Sequence, residues 1–219
     1  MTVLLFVTMI IIFLSADYVI QKRSKRAQVP HTTQRAADPM RVPSGIFFAP
    51  SHTWLTLFPS GNVRIGVDDF VLRSMTNPQL ELIKRAGTSV RKGEPLLRVR
   101  EDKRSITALS PIDADVVELN ESLPSHPDAL KKALFSDGWA YTVRPKKVSD
   151  LTKMLLGDDT NAWIQNEFER LREFVAGTQH DGSAVPVLMQ DGGAVTNGFL
   201  DNLSDETVRQ FEQKFLTVA

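Results

Sequence analysis

The stretch from residue 46 to 145 constrains this chain most. Short runs rich in β-branched, aromatic and leucine residues are broken there at close intervals by Gly, Pro, Asp and Asn. Residues 53–58 stop at Pro59-Ser60-Gly61, and residues 62–67 follow. Residues 80–83 precede Ala86-Gly87; residues 95–100 and 104–109 flank the polar Glu101-Asp102-Lys103; residues 115–120 and 139–144 close the set. Short strands at this spacing predict an all-β sandwich or barrel. Residues 68–74 and 128–134 are expected to add two short helices.

The chain has 219 residues, which suits one compact domain with extensions at both ends. Lys plus Arg and Asp plus Glu both number 26, so no global charge points to nucleic acid. The absence of Cys excludes a disulfide framework, a thiolate metal site and a cysteine nucleophile. His31, His52, His126 and His180 are scattered, without the close spacing that a metal site favours. No nucleophile–base pair or carboxylate pair stands out, so the chain is not expected to be an enzyme.

Residues 3–14 form an apolar run interrupted only by Thr8, continued less strictly to Ile20. As a helix, residues 3–20 would span about 27 Å, close to the ~30 Å hydrocarbon core of a bilayer. Asp17 and Tyr18 fall where an interface would receive them. A cleaved signal peptide should have basic residues before its apolar run and small residues at its cleavage site. Here the basic residues Lys22, Arg23, Lys25 and Arg26 follow the run, and Ser15-Ala16-Asp17 is a poor cleavage site. Residues 1–21 therefore read as a single-pass anchor in the cytoplasmic membrane. The basic flank keeps the C-terminal domain in the cytoplasm. Residues 22–45, basic at first and then holding Pro30, Pro39 and Pro43, read as a linker.

Several motifs within the β-rich region occur in one order and at one spacing. His52-Thr53-Trp54 is followed by Gly61-Asn-Val-Arg-Ile-Gly-Val67, and Gly87-Thr-Ser-Val-Arg-Lys-Gly-Glu-Pro95 fits a Gly-x-x-Val-x-x-Gly-x-Pro turn. Lys103 lies sixteen residues after Gly87 and eight before Pro111 of Ser110-Pro111. Asn120-Glu-Ser-Leu123 and Gly138-Trp139 come later. This series resembles the glycine cleavage system H protein, a lipoyl carrier of the biotinyl/lipoyl domain superfamily. The resemblance spans residues 46–157. It implies a flattened β sandwich, or barrelled hybrid-motif fold, with lipoate attached covalently to Lys103. It also implies a lipoate-attaching enzyme and the enzymes of a glycine-cleavage-like or redox complex as partners. Trp54 and Trp139 are expected to be largely buried.

The chemistry of a swinging arm agrees with this placement. A carrier needs one lysine at the tip of a tight hairpin, and Asp102-Lys103 is a polar pair suited to such a turn. Biotin carriers flank their lysine with apolar residues, whereas Asp102 and Arg104 flank this one. Three positions depart from the family pattern. Arg100 stands where Glu usually precedes the lysine by three, Arg104 where a small apolar residue usually follows, and Ala114 where Gly is usual. These departures keep a second reading open: a docking subunit with the same fold and no lipoyl group.

Residues 158–219 read as a helical extension. Residues 151–156 are expected to form a short helix just before it. Within it, Ile164, Phe168, Leu171, Phe174 and Val175 fall at helical spacing, with Glu167, Glu169, Arg170, Arg172 and Glu173 assigned to the polar face. This helix could pack on its own domain or bind a partner. Asp191-Gly192-Gly193 suggests a tight hairpin within residues 186–195. Ser204 is a good N-cap for a last helix, whose apolar stripe is Val208, Phe211, Phe215 and Leu216.

Overall fold

The computed structural model describes residues 42–178, 195–201 and 203–218. The anchor expected over residues 3–20, its basic flank and the linker up to residue 41 lie outside them. So does the hairpin expected around Asp191-Gly192-Gly193. Among the described residues, no helix is long and apolar enough to cross a membrane.

Nine strands among the described residues form two antiparallel sheets. They are β1 (Phe47–Ala49), β2 (Thr53–Leu57), β3 (Val63–Val67), β4 (Gln79–Leu82), β5 (Ser89–Val90), β6 (Pro95–Glu101), β7 (Arg104–Leu109), β8 (Ala114–Leu119) and β9 (Tyr141–Pro145). The larger sheet runs β1-β2-β3-β9-β8-β5, and the smaller β4-β6-β7. Alternation sets their faces. Leu97 and Val99 of β6 and Ile106 and Ala108 of β7 turn inward, while Arg98, Arg100 and Ser105 turn to solvent. Residues from both sheets meet in one continuous core. Trp54 is wholly buried; Trp139 is partly buried against the same cluster, with the Arg64 guanidinium 4.6 Å over its ring.

The helices are α1 (Asp69–Arg73), α2 (Asp128–Lys132), α3 (Asp158–Thr178) and α4 (Asp205–Phe215). The short helix expected over 151–156 is a 3-10 turn over Val148–Lys153. Asp68 caps α1 by accepting the Val71 N–H at 3.2 Å. Ser204 caps α4 by accepting the Thr207 N–H at 3.1 Å. Both extension helices pack on their own domain. Phe70 of α1 is the meeting point, with ring centroids 5.4 Å from Phe168, 5.6 Å from Phe215 and 6.2 Å from Phe211. The chain between α3 and α4 returns beside α1, where Gly198 N–H donates to Arg73 O at 2.8 Å and Leu200 N–H to Ser74 O at 3.0 Å.

Glu167 is a correction to the expected polar face: it is buried, and it turns toward His52. His52 is fully buried, stacked 4.0 Å from Phe70 and 4.9 Å from Trp163. Its Nδ1 lies 2.8 Å from Asp68 Oδ2, and its Nε2 lies 3.7 Å from Glu167 Oε2, an ion-pair distance longer than a hydrogen bond. Burial is the largest single influence and pushes the imidazole down; Asp68 and Glu167 together outweigh it and hold His52 above its ordinary value. Burial likewise pushes Glu167 up, but His52 and Arg170 hold it below the usual carboxylate value.

Two outcomes are expected. A histidine with a raised folded-state pKa stabilises fully below its unfolded value of about 6.5, and that stabilisation is lost as pH rises through the folded value. Denaturant midpoints should therefore fall as pH is raised through that window, and His52→Gln should flatten the slope. Phe211→Ala, which empties a core site shared by the sandwich and α4, should cost about 3–5 kcal/mol in one cooperative transition. A loss under 1 kcal/mol would mean that α4 is not part of the core.

Candidate functional site

The site is the tip of the β6–β7 hairpin, and the base of that hairpin is pinned. Gly93 N–H donates to Ser110 O and Ser110 N–H to Glu94 O, both at 2.8 Å. Ser110 Oγ–H donates to Ile112 O at 2.8 Å. Gly87 and Gly93, the two glycines of the turn motif, take φ of +80° and +82°, which a side chain would strain. Their N–H groups bond Val116 O and Ser110 O, which ties the turn to β8 and to the foot of the hairpin.

Register then decides which residues occupy the tip. Pro95 pairs with Leu109, yet Leu97 pairs with Ala108, so β6 gains one residue through a bulge. Above the bulge Arg100 pairs with Ser105 and Glu101 with Arg104, which leaves Asp102 and Lys103 as a two-residue turn. Asp102 takes the positive φ, +47°, a conformation that Asp tolerates better than most residues. Asp102 and Lys103 are both exposed. The expected placement of Lys103 at an exposed hairpin tip is thus what the structure has.

The three departures from the family pattern have separate surroundings. Arg100 lies 3.2 Å from Glu81 Oε2, and Arg98 lies 3.6 Å from Glu81 Oε1, so a carboxylate on β4 faces both cations. These groups are about half exposed, and such pairs contribute little to stability. Arg104 turns away from the tip: its guanidinium bonds the Asp205 carboxylate and the Leu203 carbonyl oxygen at the start of α4. Ala114 is buried in β8, opposite Pro145 and Val90, where its methyl group joins the core away from the tip. Nothing local in the sequence signals the contact between Arg104 and Asp205, which are 101 residues apart.

On the β4 side of the tip lies an open groove of about 510 Å³, lined in part by Gln79, Glu81, Arg100, Asp102, Glu121 and Pro124. Among the described residues, no cluster of three or more His, Asp or Glu could hold a metal ion. The arrangement offers one primary amine on a rigid, solvent-exposed tip. It can hold an amide-linked group clear of the domain.

The model of the glycine cleavage H-protein family matches residues 46–167. The chain belongs to the glycine cleavage H-protein family. The match takes in all nine strands and the first part of α3. Proteins of this family are carriers rather than enzymes. The glycine cleavage system H protein of Saccharophagus degradans is 27% identical over 124 residues, covering 57% of this chain and 95% of the relative. That of Geobacillus kaustophilus is 26% identical over 125 residues, covering 57% and 98%. A crystal structure of the H protein of Mycobacterium marinum superposes with a TM-score of 0.49 at 21% identity, covering 57% of this chain and 99% of that one.

The tip geometry carries a test. Asp102→Gly should leave the urea midpoint unchanged or raise it slightly, since Gly accepts positive φ freely. Asp102→Val should cost about 1–2 kcal/mol. Equal midpoints for the two variants would contradict the assigned turn.

Proposed function

We propose that this protein is a membrane-tethered lipoyl carrier in which Lys103 holds the lipoyl group. The observation that carries this reading is Lys103 in an exposed two-residue turn of an H-protein-family domain. The site suits such a group: the amine is exposed and its turn is fixed from the base of the hairpin. When bound, a lipoyl group supplies a dithiolane on a long tether that can take up an aminomethyl group or reducing equivalents. The contribution of the chain is to keep the amine at the tip, to hold the tip rigid and to leave one side of it open. The carrier would shuttle its load between the enzymes of a glycine-cleavage-like or redox complex after modification by a lipoate-attaching enzyme.

The anchor rests on residues 3–20 and the basic residues after them. It places the carrier domain at the cytoplasmic face of the membrane, so its partners are membrane-associated or reach the membrane surface. A second reading, a docking subunit that keeps the fold without lipoate, is favoured by Arg100, which reverses the charge that a modifying enzyme would meet, and by Ala114, which stands where Gly is usual.

Replacing the chromosomal copy with Lys103→Arg separates the readings. The carrier reading expects the variant to stay in the membrane fraction with an unchanged denaturation profile and to lose the host activity. A silent substitution supports the docking subunit. Recovery of the full chain in the soluble fraction would refute the anchor alone.

A further inference from the structure

The C-terminal segment touches the carrier hairpin at two independent points. The first is the backbone of β7. This strand lies at one edge of the small sheet, so alternate N–H groups point away from β6 with no strand to receive them. The Thr107 N–H is satisfied instead by the Glu212 Oε1 of α4, at 2.7 Å. The second is Arg104, the residue after Lys103, whose guanidinium bonds the Asp205 carboxylate and the Leu203 carbonyl. Three-quarters of the Arg104 side chain is covered, whereas Asp205, the first residue of α4, is 85% exposed.

These contacts come from an element that cannot swing away. Phe211 and Phe215 of α4 are fully or almost fully buried in the common core, Ser204 caps the helix, and Leu203 is buried beside the cap. The other side of the hairpin is different. Along β4, Gln79 is exposed, and the groove beside Glu81, Arg100 and Asp102 opens directly at the tip. The family match ends at Glu167, and the Saccharophagus relative is accounted for over 95% of its length by the matched region. The cover on β7 therefore belongs to this chain's own extension. It also gives Arg104, the unusual residue after the lysine, a definite role.

We propose that the C-terminal segment is a brace on the β7 side of the carrier tip, with Arg104 as its positioning residue, and that the enzyme modifying Lys103 docks from the β4 side, across Gln79, Glu81 and Arg100. The brace closes the β7 edge to strand-by-strand recognition and limits the directions in which the tip can lean. The surface left for the enzyme is a shallow groove lined by three carboxylates, Glu81, Asp102 and Glu121, and one cation, Arg100, which is already paired with Glu81; its net negative charge fits a partner presenting basic groups. The docking half of the proposal rests on the carrier reading; the brace half does not.

The chain has no cysteine, so single thiols can be introduced into the full-length protein in detergent. Gln79→Cys and Ser105→Cys report the two sides of the hairpin, and their labelling rates are compared with and without a lipoate ligase. The expected result is about tenfold slower labelling at position 79 in the presence of the ligase, with position 105 unaffected. In an Arg104→Ala background, protection should spread to position 105. Hydrogen exchange at the Thr107 amide, measured without ligase, should accelerate about tenfold in Arg104→Ala and in Glu212→Ala. Protection of position 105 at least equal to that of position 79 in the otherwise native chain would overturn the docking side. Unchanged Thr107 exchange in both variants would overturn the brace. A ligase that neither binds nor modifies the chain would count against the carrier reading and the docking side together, while the exchange measurement still decides the brace.

Discussion

What α1 turns inward holds the molecule together. Phe70 lies against His52 on one face and faces Phe168, Phe211 and Phe215 on the others, so one side chain joins the strand-built sandwich to both extension helices. Burying several aromatic rings together supplies a large apolar area, and their mostly tilted arrangement suits ring quadrupoles. His52 adds a polar tie at the same place. A charged imidazole would be costly there alone, and two carboxylates, one from the cap of α1 and one from α3, make it tolerable. The extension is thereby part of the domain's core rather than an appendage.

That junction decides what surrounds the tip. Because α4 is anchored in the core, its outer face can hold the edge of β7 without being displaced, and its first turn can hold Arg104. The hairpin is thus fixed at its base by Gly93, Glu94 and Ser110, and along one flank by α4. Lys103 itself stays outside both sets of contacts. Such a division suits a carrier: the support is rigid, and mobility is left to whatever the lysine bears.

Much of this was legible in the sequence, because it depends on local signals. Strand runs, the polar pair Asp102-Lys103 and the Ser204 cap are each written within a few residues, and each stands where local chemistry puts it. The stripe of Val208, Phe211, Phe215 and Leu216 is buried as its spacing implies. Glu167 is buried for a reason that pattern alone does not show. It lies three residues after Ile164 and four before Leu171, on the apolar arc, but a carboxylate there reads as solvated unless its partner is known. The partner, His52, is far away in sequence. The role of Arg104 was hidden for the same reason. The bulge in β6 has no marker beyond Pro95, although it determines that Lys103, rather than a neighbour, shares the turn with Asp102.

The central claim is that the amine at this tip carries a lipoyl group. Intact-mass measurement of the full chain purified from its native host tests it most directly. The expected mass exceeds that of the sequence by one lipoyl group, with the addition mapping to the peptide that contains Lys103. A chain recovered at the mass of its sequence, from cells whose other lipoyl proteins are fully modified, would contradict it.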